Sequence, residues 1–258
     1  MSGSMLDFSE RAVIVTGASS GIGAVTALRF SDAGADVVLA CRGNVKGATA
    51  VAERIAGNGR RAMVHPGDLT SAAAAESLAA RCVEAFGGLD VLVNNAGSYP
   101  VQALLEMSEA EWRSVLDANL TSVHLMTQAA ARRMIAQQRR GGAIVNVASI
   151  EASNPAPGHA HYAAAKAAVL MHTKSAAAEL GRHGIRVNCV SPGLIDREGL
   201  AEAWPDGVKR YLEAVPLGRL GQATDVADAC LFLASAAARW ITGAELVVDG
   251  GVLTQQVY

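Results

Sequence analysis

Cysteine is sparse in this chain of 258 residues, and Cys41, Cys82, Cys189 and Cys230 stand far apart with no C-x-x-C pair among them. That argues against a metal site or a redox dithiol and leaves buried free thiols. Neither sign of charge dominates: 22 basic and 24 acidic residues give a formal charge of -2. No net field therefore recommends a nucleic acid or an anionic membrane as partner. The nearest approach to a basic run, Arg132, Arg133, Arg139 and Arg140 with Gln137 and Gln138 alongside, reads as the solvated end of a helix. No apolar run approaches the roughly 20 residues of a membrane span. The start places Asp7 and Glu10 before a short apolar run at 12–15, which is not the order of a secretory signal. The expected setting is cytoplasmic, with no membrane.

Apolar side chains, by contrast, are abundant. Hydrophobic residues make up 51% and charged residues 18%, so the compositional signature of disorder is missing. Short β-branched runs at 11–16, 36–41, 61–65, 90–94, 142–148, 186–191 and 245–248 alternate with helical patterns at 21–33, 45–56, 71–86, 108–137, 160–182 and 224–234. Gly34 and Gly87 or Gly88 fall where helices should stop, and Ser108 with Glu111 has the form of a capping box. Most of the strands are continuous Val, Ile, Leu and Ala, as when both faces are buried in a parallel sheet. Strict succession of strand and helix predicts one α/β domain over 1–258, a doubly wound parallel sheet of about seven strands with helices on both faces. An irregular stretch at 193–215, interrupted by Pro205, Asp206 and Gly207, follows a strand's carboxyl end and is expected to cover a substrate. Leu194, Trp204 and Tyr211 within it suggest an apolar pocket.

Two constellations bear on chemistry. The first strand runs into Thr16-Gly17-Ala18-Ser19-Ser20-Gly21-Ile22-Gly23, a glycine-rich turn at the mouth of a helix. Backbone N–H groups there can cradle a pyrophosphate. The second strand ends at Arg42, where an acidic residue would suit a ribose 2′-hydroxyl and arginine suits a 2′-phosphate, which tilts the cofactor toward NADP(H) over NAD(H). In Tyr162-Ala163-Ala164-Ala165-Lys166 the phenol and the ammonium share one helix face. An ammonium held near a phenol should lower its pKa from about 10 and make it a usable proton donor or acceptor. Ser149, just past the fifth strand, adds a hydroxyl that could hold a substrate oxygen, although serine at such a place is usually a cap.

With these residues in view the sequence resembles the short-chain dehydrogenase/reductase family, including its 3-oxoacyl-carrier-protein reductase-like members. The resemblance covers nearly the whole chain. It is carried by the turn at 16–23, Asp68-Leu69-Thr70, Asn94-Asn95-Ala96-Gly97, Asn119, Ser149, Tyr162 with Lys166, Pro192-Gly193 and the tail at 242–251. It implies a Rossmann-type oxidoreductase moving hydride between NADP(H) or NAD(H) and a small-molecule carbonyl or secondary alcohol. Ser149 would orient the carbonyl, Tyr162 act as general acid or base, and Lys166 lower its pKa while binding the nicotinamide ribose. Asn119 would support a water beside the lysine. Asp68 and Leu69 would meet the adenine, and Asn95, Ala96, Gly97, Pro192, Gly193 and Ile195 would line the cofactor groove. The tail looks like the segment that closes relatives into homotetramers.

One departure is Arg197, where relatives often carry a threonine that helps fix the cofactor. His159 and His161 are expected to flank the helix start and face solvent, and Glu151 to lie on the surface. The competing reading is a dinucleotide-binding regulatory or scaffolding protein without turnover.

Overall fold

A computed structural model describes residues 5–137 and 141–254; Gln138, Arg139 and Arg140 of the basic run lie outside the described residues. The strands are β1 (Ala12–Thr16), β2 (Asp36–Cys41), β3 (Ala62–Pro66), β4 (Val91–Asn94), β5 (Gly142–Val147), β6 (Ile185–Pro192) and β7 (Glu245–Val248). They form one parallel sheet in the order β3-β2-β1-β4-β5-β6-β7. The helices are α1 (Gly21–Asp32), α2 (Val45–Gly57), α3 (Ala72–Phe86), α4 (Glu109–Leu116), α5 (Ser122–Ala136), α6 (Ala160–Leu180), α7 (Leu200–Ala203), α8 (Pro205–Ala214) and α9 (Ala223–Ala234). This is the doubly wound sheet that the alternation predicts, with the order reversing between β1 and β4.

Burial follows the pleat. In β1, Val13 and Val15 join Phe30, Leu39 and Leu233 on one face, while Ile14 joins Leu78, Leu92 and Met134 on the other. Every residue of β1, β2 and β4 is buried. The edge strands β3 and β7 are only partly covered. At the amino edge of the sheet Asp36 meets Arg60 at 2.9 Å and Arg61 at 2.5 Å. Burial acts to raise its carboxyl, but the Arg61 hydrogen bonds and both guanidinium charges outweigh that and hold it below the usual range.

Two expectations change. The helix expected at 108–137 runs from Glu109 to Ala136 but is not regular: α4 starts at the capping box of Ser108 and Glu111 and passes through a π turn, Asp117–Thr121, into α5. The stretch at 193–215 holds two helices instead of irregular chain. Pro205 is the first residue of α8, where its fixed φ and missing N–H suit a helix start, and Asp206 joins it in the first turn. Among the described residues no helix is long and apolar enough to cross a membrane.

Candidate active site

The reversal of strand order splays the loops after β1 and β4 apart, and side chains staple the base of the resulting crevice. Thr16 Oγ1 accepts the backbone N–H of Asn95 and of Ala96, each at 2.9 Å. Asn95 in turn donates from Nδ2 to the Thr16 carbonyl at 3.0 Å. Gly17 and Gly21 hold φ of 66° and 53°, which a side chain would resist. A Cβ on Gly23 would lie 2.3 Å from the Gly17 carbonyl oxygen, so only glycine lets α1 start this close to the turn. Ser20 makes no side-chain cap, and the first amides of α1 have no partner within the helix. Ser19 and Ile22 complete the turn. These features fit a bound pyrophosphate.

Beyond β2, exposed Arg42 stands near Asp68. Asp68 accepts from the N–H of Thr70 at 3.0 Å and from its hydroxyl at 2.8 Å, and these bonds, with help from Arg42, hold its carboxyl below the usual range. Leu69 beside it is buried. At the far side of the crevice β6 ends with Pro192, Gly193 donates its N–H to the Val248 carbonyl, and Ile195 forms a bridge to Gly221.

Four polar side chains gather at the carboxyl edge of β4 and β5. Lys166 is 4% exposed. Its Nζ donates to the Val147 carbonyl at 2.7 Å and lies 5.6 Å from the centroid of the Tyr162 ring. The Ser149 hydroxyl stands near enough to Tyr162 to act on its ionisation while its Oγ accepts the N–H of Glu151 at 3.1 Å, so it is a cap and a site residue at once. Asn119, wholly buried, sits in the π turn; its Nδ2 donates to the carbonyls of Ser98 at 2.7 Å and Val115 at 2.9 Å. Its Oδ1 has no hydrogen-bond partner among the described residues. A Cβ on Gly97 would come within 2.4 Å of that oxygen and 3.7 Å of Lys166 Nζ, so the two polar atoms border one small space that glycine keeps clear. Below them Asn94 donates to Asn146 at 2.9 Å, and Asn146 to Thr173 at 2.9 Å, a buried ladder that ties β4 and β5 to α6.

The electrostatics differ from the expectation that the lysine lowers the phenol. Burial pushes Tyr162 up to about 12, with the Ser149 hydrogen bond pulling the other way and Glu151 and Tyr99 adding to the rise. Burial also brings Lys166 down to about 8. Each charged form loses hydration in the same dry site, and at neutral pH the protein's own groups hold Tyr162 protonated.

Around the phenol stand side chains that the motifs do not include. The Tyr99 ring is 6.0 Å from that of Tyr162, and the Arg197 guanidinium hydrogen-bonds the Tyr99 hydroxyl while lying 5.4 Å from its ring. His159 packs its ring 5.8 Å from Tyr162 and holds Glu151 at 2.9 Å. Neither member of that pair faces open solvent as expected: their side chains are 16% and 20% exposed. His161 is wholly buried behind the tyrosine, its Nδ1 accepting the Tyr162 N–H at 2.9 Å. A cavity of about 650 Å³ opens alongside, bordered by Ser98, Tyr99, Gln102, Val115 and His161. Trp204 and Tyr211, expected with Leu194 to line an apolar pocket, sit at the start of α8 and within it. Tyr211 donates its hydroxyl to the Asp249 carbonyl at 2.9 Å, and the Trp204 ring covers Gly207. Tyr211 thereby ties α8 to the turn after β7.

Known proteins share this plan. The family model described as enoyl-(acyl carrier protein) reductase matches residues 17–253. L-rhamnose 1-dehydrogenase (NAD(P)(+)) of Azotobacter vinelandii is 43% identical over 248 residues, 94% of this chain and 96% of the relative. The 3-oxoacyl-(acyl-carrier-protein) reductase FabG of Staphylococcus aureus is 40% identical over 243 residues, 94% of this chain and 98% of the relative. A solved 7α-hydroxysteroid dehydrogenase, complexed with NADH and 7-oxo glycochenodeoxycholic acid, superposes with a TM-score of 0.91 at 34% identity, covering 97% of this chain and 98% of the other. The chain belongs to the short-chain dehydrogenase/reductase family. Within it, this protein is an oxidoreductase that transfers hydride with a dinucleotide.

Proposed function

We propose that the protein reduces a small-molecule ketone, or oxidises the matching secondary alcohol, with Tyr162 as the proton-transferring group and NADP(H) preferred over NAD(H). The observation that carries this reading is the meeting of Tyr162, Ser149, Lys166 and Asn119 at the carboxyl edge of the sheet, across the crevice from the glycine turn. The turn at Gly17, Ser19, Ser20, Gly21, Ile22 and Gly23 would hold the pyrophosphate, and Asp68 and Leu69 the adenine. Asn95, Ala96, Gly97, Pro192, Gly193 and Ile195 would line the groove toward the nicotinamide. When bound, the cofactor supplies the hydride in reduction and takes it up in oxidation.

Ser149 Oγ holds the substrate oxygen, and the Tyr162 hydroxyl gives that oxygen its proton as the carbonyl is reduced. A phenol kept protonated by burial is ready for that task. Lys166, brought down to about 8, can return a proton to the phenolate near neutral pH, and the free Asn119 Oδ1 beside it can hold a water for resupply. Arg42, exposed at the end of β2, supports the preference for a 2′-phosphate. One domain spanning 1–258, with residues 193–215 covering the substrate, completes the reading. So do a cytoplasmic location and a homotetramer joined through the half-covered edge strand β7.

Tyr162→Phe tests the assignment. Turnover of NADPH with a panel of ketones should fall about a thousandfold or more, while the dissociation constant for NADPH moves by less than about threefold. Retained turnover would end it. A wild-type affinity tenfold tighter for NADH than for NADPH would remove the cofactor preference.

A further inference from the structure

Beside the proton-transferring group lies a second polar device that the reaction as described does not use. Glu151, in the turn after Ser149, accepts from Nδ1 of His159, the residue just before α6, at 2.9 Å from Oε2 and 3.1 Å from Oε1. Both side chains are largely covered, and the imidazole rests edge-on against the Tyr162 ring at 5.8 Å between centroids. A neutral imidazole that donates from Nδ1 to this carboxylate carries its lone pair on Nε2. That Nε2 is buried and has no hydrogen-bond partner among the described residues. A polar atom left so is costly, and a group that meets it gains accordingly.

The pair also adjoins both reacting-site hydroxyls: the Glu151 N–H is bonded to Ser149 Oγ, the His159 ring packs on that of Tyr162, and the Ser149 hydroxyl stands close enough to Tyr162 to act on its ionisation. A substrate oxygen held by Ser149 and Tyr162 would therefore set the neighbouring carbon close to the imidazole. A hydroxyl on that carbon can donate to Nε2; a methylene cannot, and would leave it unpaired.

We propose that His159, oriented by Glu151, is a specificity-determining residue that accepts a hydrogen bond from a hydroxyl on the carbon next to the reacting one. The preferred substrates are then α-hydroxy ketones, with vicinal diols and polyols in the reverse direction. This rests on Tyr162 acting at the carbonyl oxygen, as set out above.

Matched substrates test it. Wild-type kcat/KM for 1-hydroxy-2-butanone should exceed that for 2-butanone by about 30-fold, measured with NADPH and with NADH. In His159→Phe that ratio should collapse to within about threefold of one, and His159→Gln, which restores an acceptor, should recover part of it. Glu151→Gln, which keeps the shape but weakens the anchoring of the imidazole, should lower the ratio by a smaller factor and carries the test if His159→Phe fails to fold. A wild type that uses both ketones equally well, or neither, overturns the inference; so does a variant that loses both substrates in proportion, as a purely structural histidine would. Tyr162→Phe separates the two claims. If that variant keeps its turnover, the underlying reading fails; if it is inactive while the ratio ignores residue 159, only this inference fails.

Discussion

The glycine turn at the start of α1 and the polar cluster around Tyr162 face each other across one crevice, yet they are made of different material. The turn is a main-chain object: its shape depends on positive φ at Gly17 and Gly21 and on the bare Cα of Gly23. The cluster is a side-chain object, assembled from β5, α6, the π turn and the loop after β4, with Lys166 and Asn119 buried to do it. A main-chain site tolerates no added atom. A side-chain site tolerates atoms but depends on each group's hydration.

The sharpest way to break that contrast is Gly23→Ala, which brings a Cβ against the Gly17 oxygen and should weaken NADPH binding roughly a hundredfold, read by cofactor fluorescence titration. Binding within about threefold of wild type would show the turn to be pliable. Next comes Lys166→Met. A folded-state value near 8, below the ordinary 10.5, means that the unfolded chain binds more protons between those limits, so this group's penalty on stability is full below pH 8 and fades as pH rises toward 10.5. Relief of about 3 kcal/mol, less about 1 for the lost bond to Val147, should leave the variant about 2 kcal/mol more stable at pH 7. Urea melts without added cofactor should show that advantage shrinking above pH 8, while turnover is lost.

Thr16→Val probes the joint between the two regions. The N–H groups of Asn95 and Ala96 lose their shared acceptor, and urea unfolding should register a loss of about 1.5 kcal/mol with a smaller fall in cofactor affinity than Gly23→Ala gives. The mildest change lies outside both regions. Asp36→Asn at the amino edge should cost about 1 kcal/mol at pH 7 and leave turnover alone. Because the folded-state carboxyl is held low, its contribution is present above the unfolded value and disappears as pH falls through the folded one, so mutant and wild type should converge in acid.

The same contrast explains what could be read in advance. Strands such as β1 and β2 were legible because burial on both faces demands continuous apolar residues, and the turn because glycine spacing is itself the geometry. Tyr162, Lys166 and Ser149 were legible as types and spacings. Their electrostatics were not, since burial, which has no local signature, outweighs the charge pairing that the spacing suggests. Nor was the company of Tyr162: Arg197 and Tyr99 meet across 98 positions of sequence, and Glu151 and His159 each look like surface residues until the chain turn between them is known. Pro205 misled for another reason. Proline interrupts a helix in its interior but starts one at its first position, and the pattern around 205 did not say which.

The π turn at Asp117–Thr121 gives the long α4 to α5 span a phase shift: one surplus residue brings Val115 upstream and Val123 downstream, eight positions apart, onto one inward face, while Asn119 between them turns its amide to the carbonyls of Ser98 and Val115. Excising a single residue there would restore an unbroken helical repeat and rotate everything beyond it by about 100°. The molecule would gain a more regular rod and lose its alignment with the sheet, which makes this bulge the place where chain length itself is under constraint.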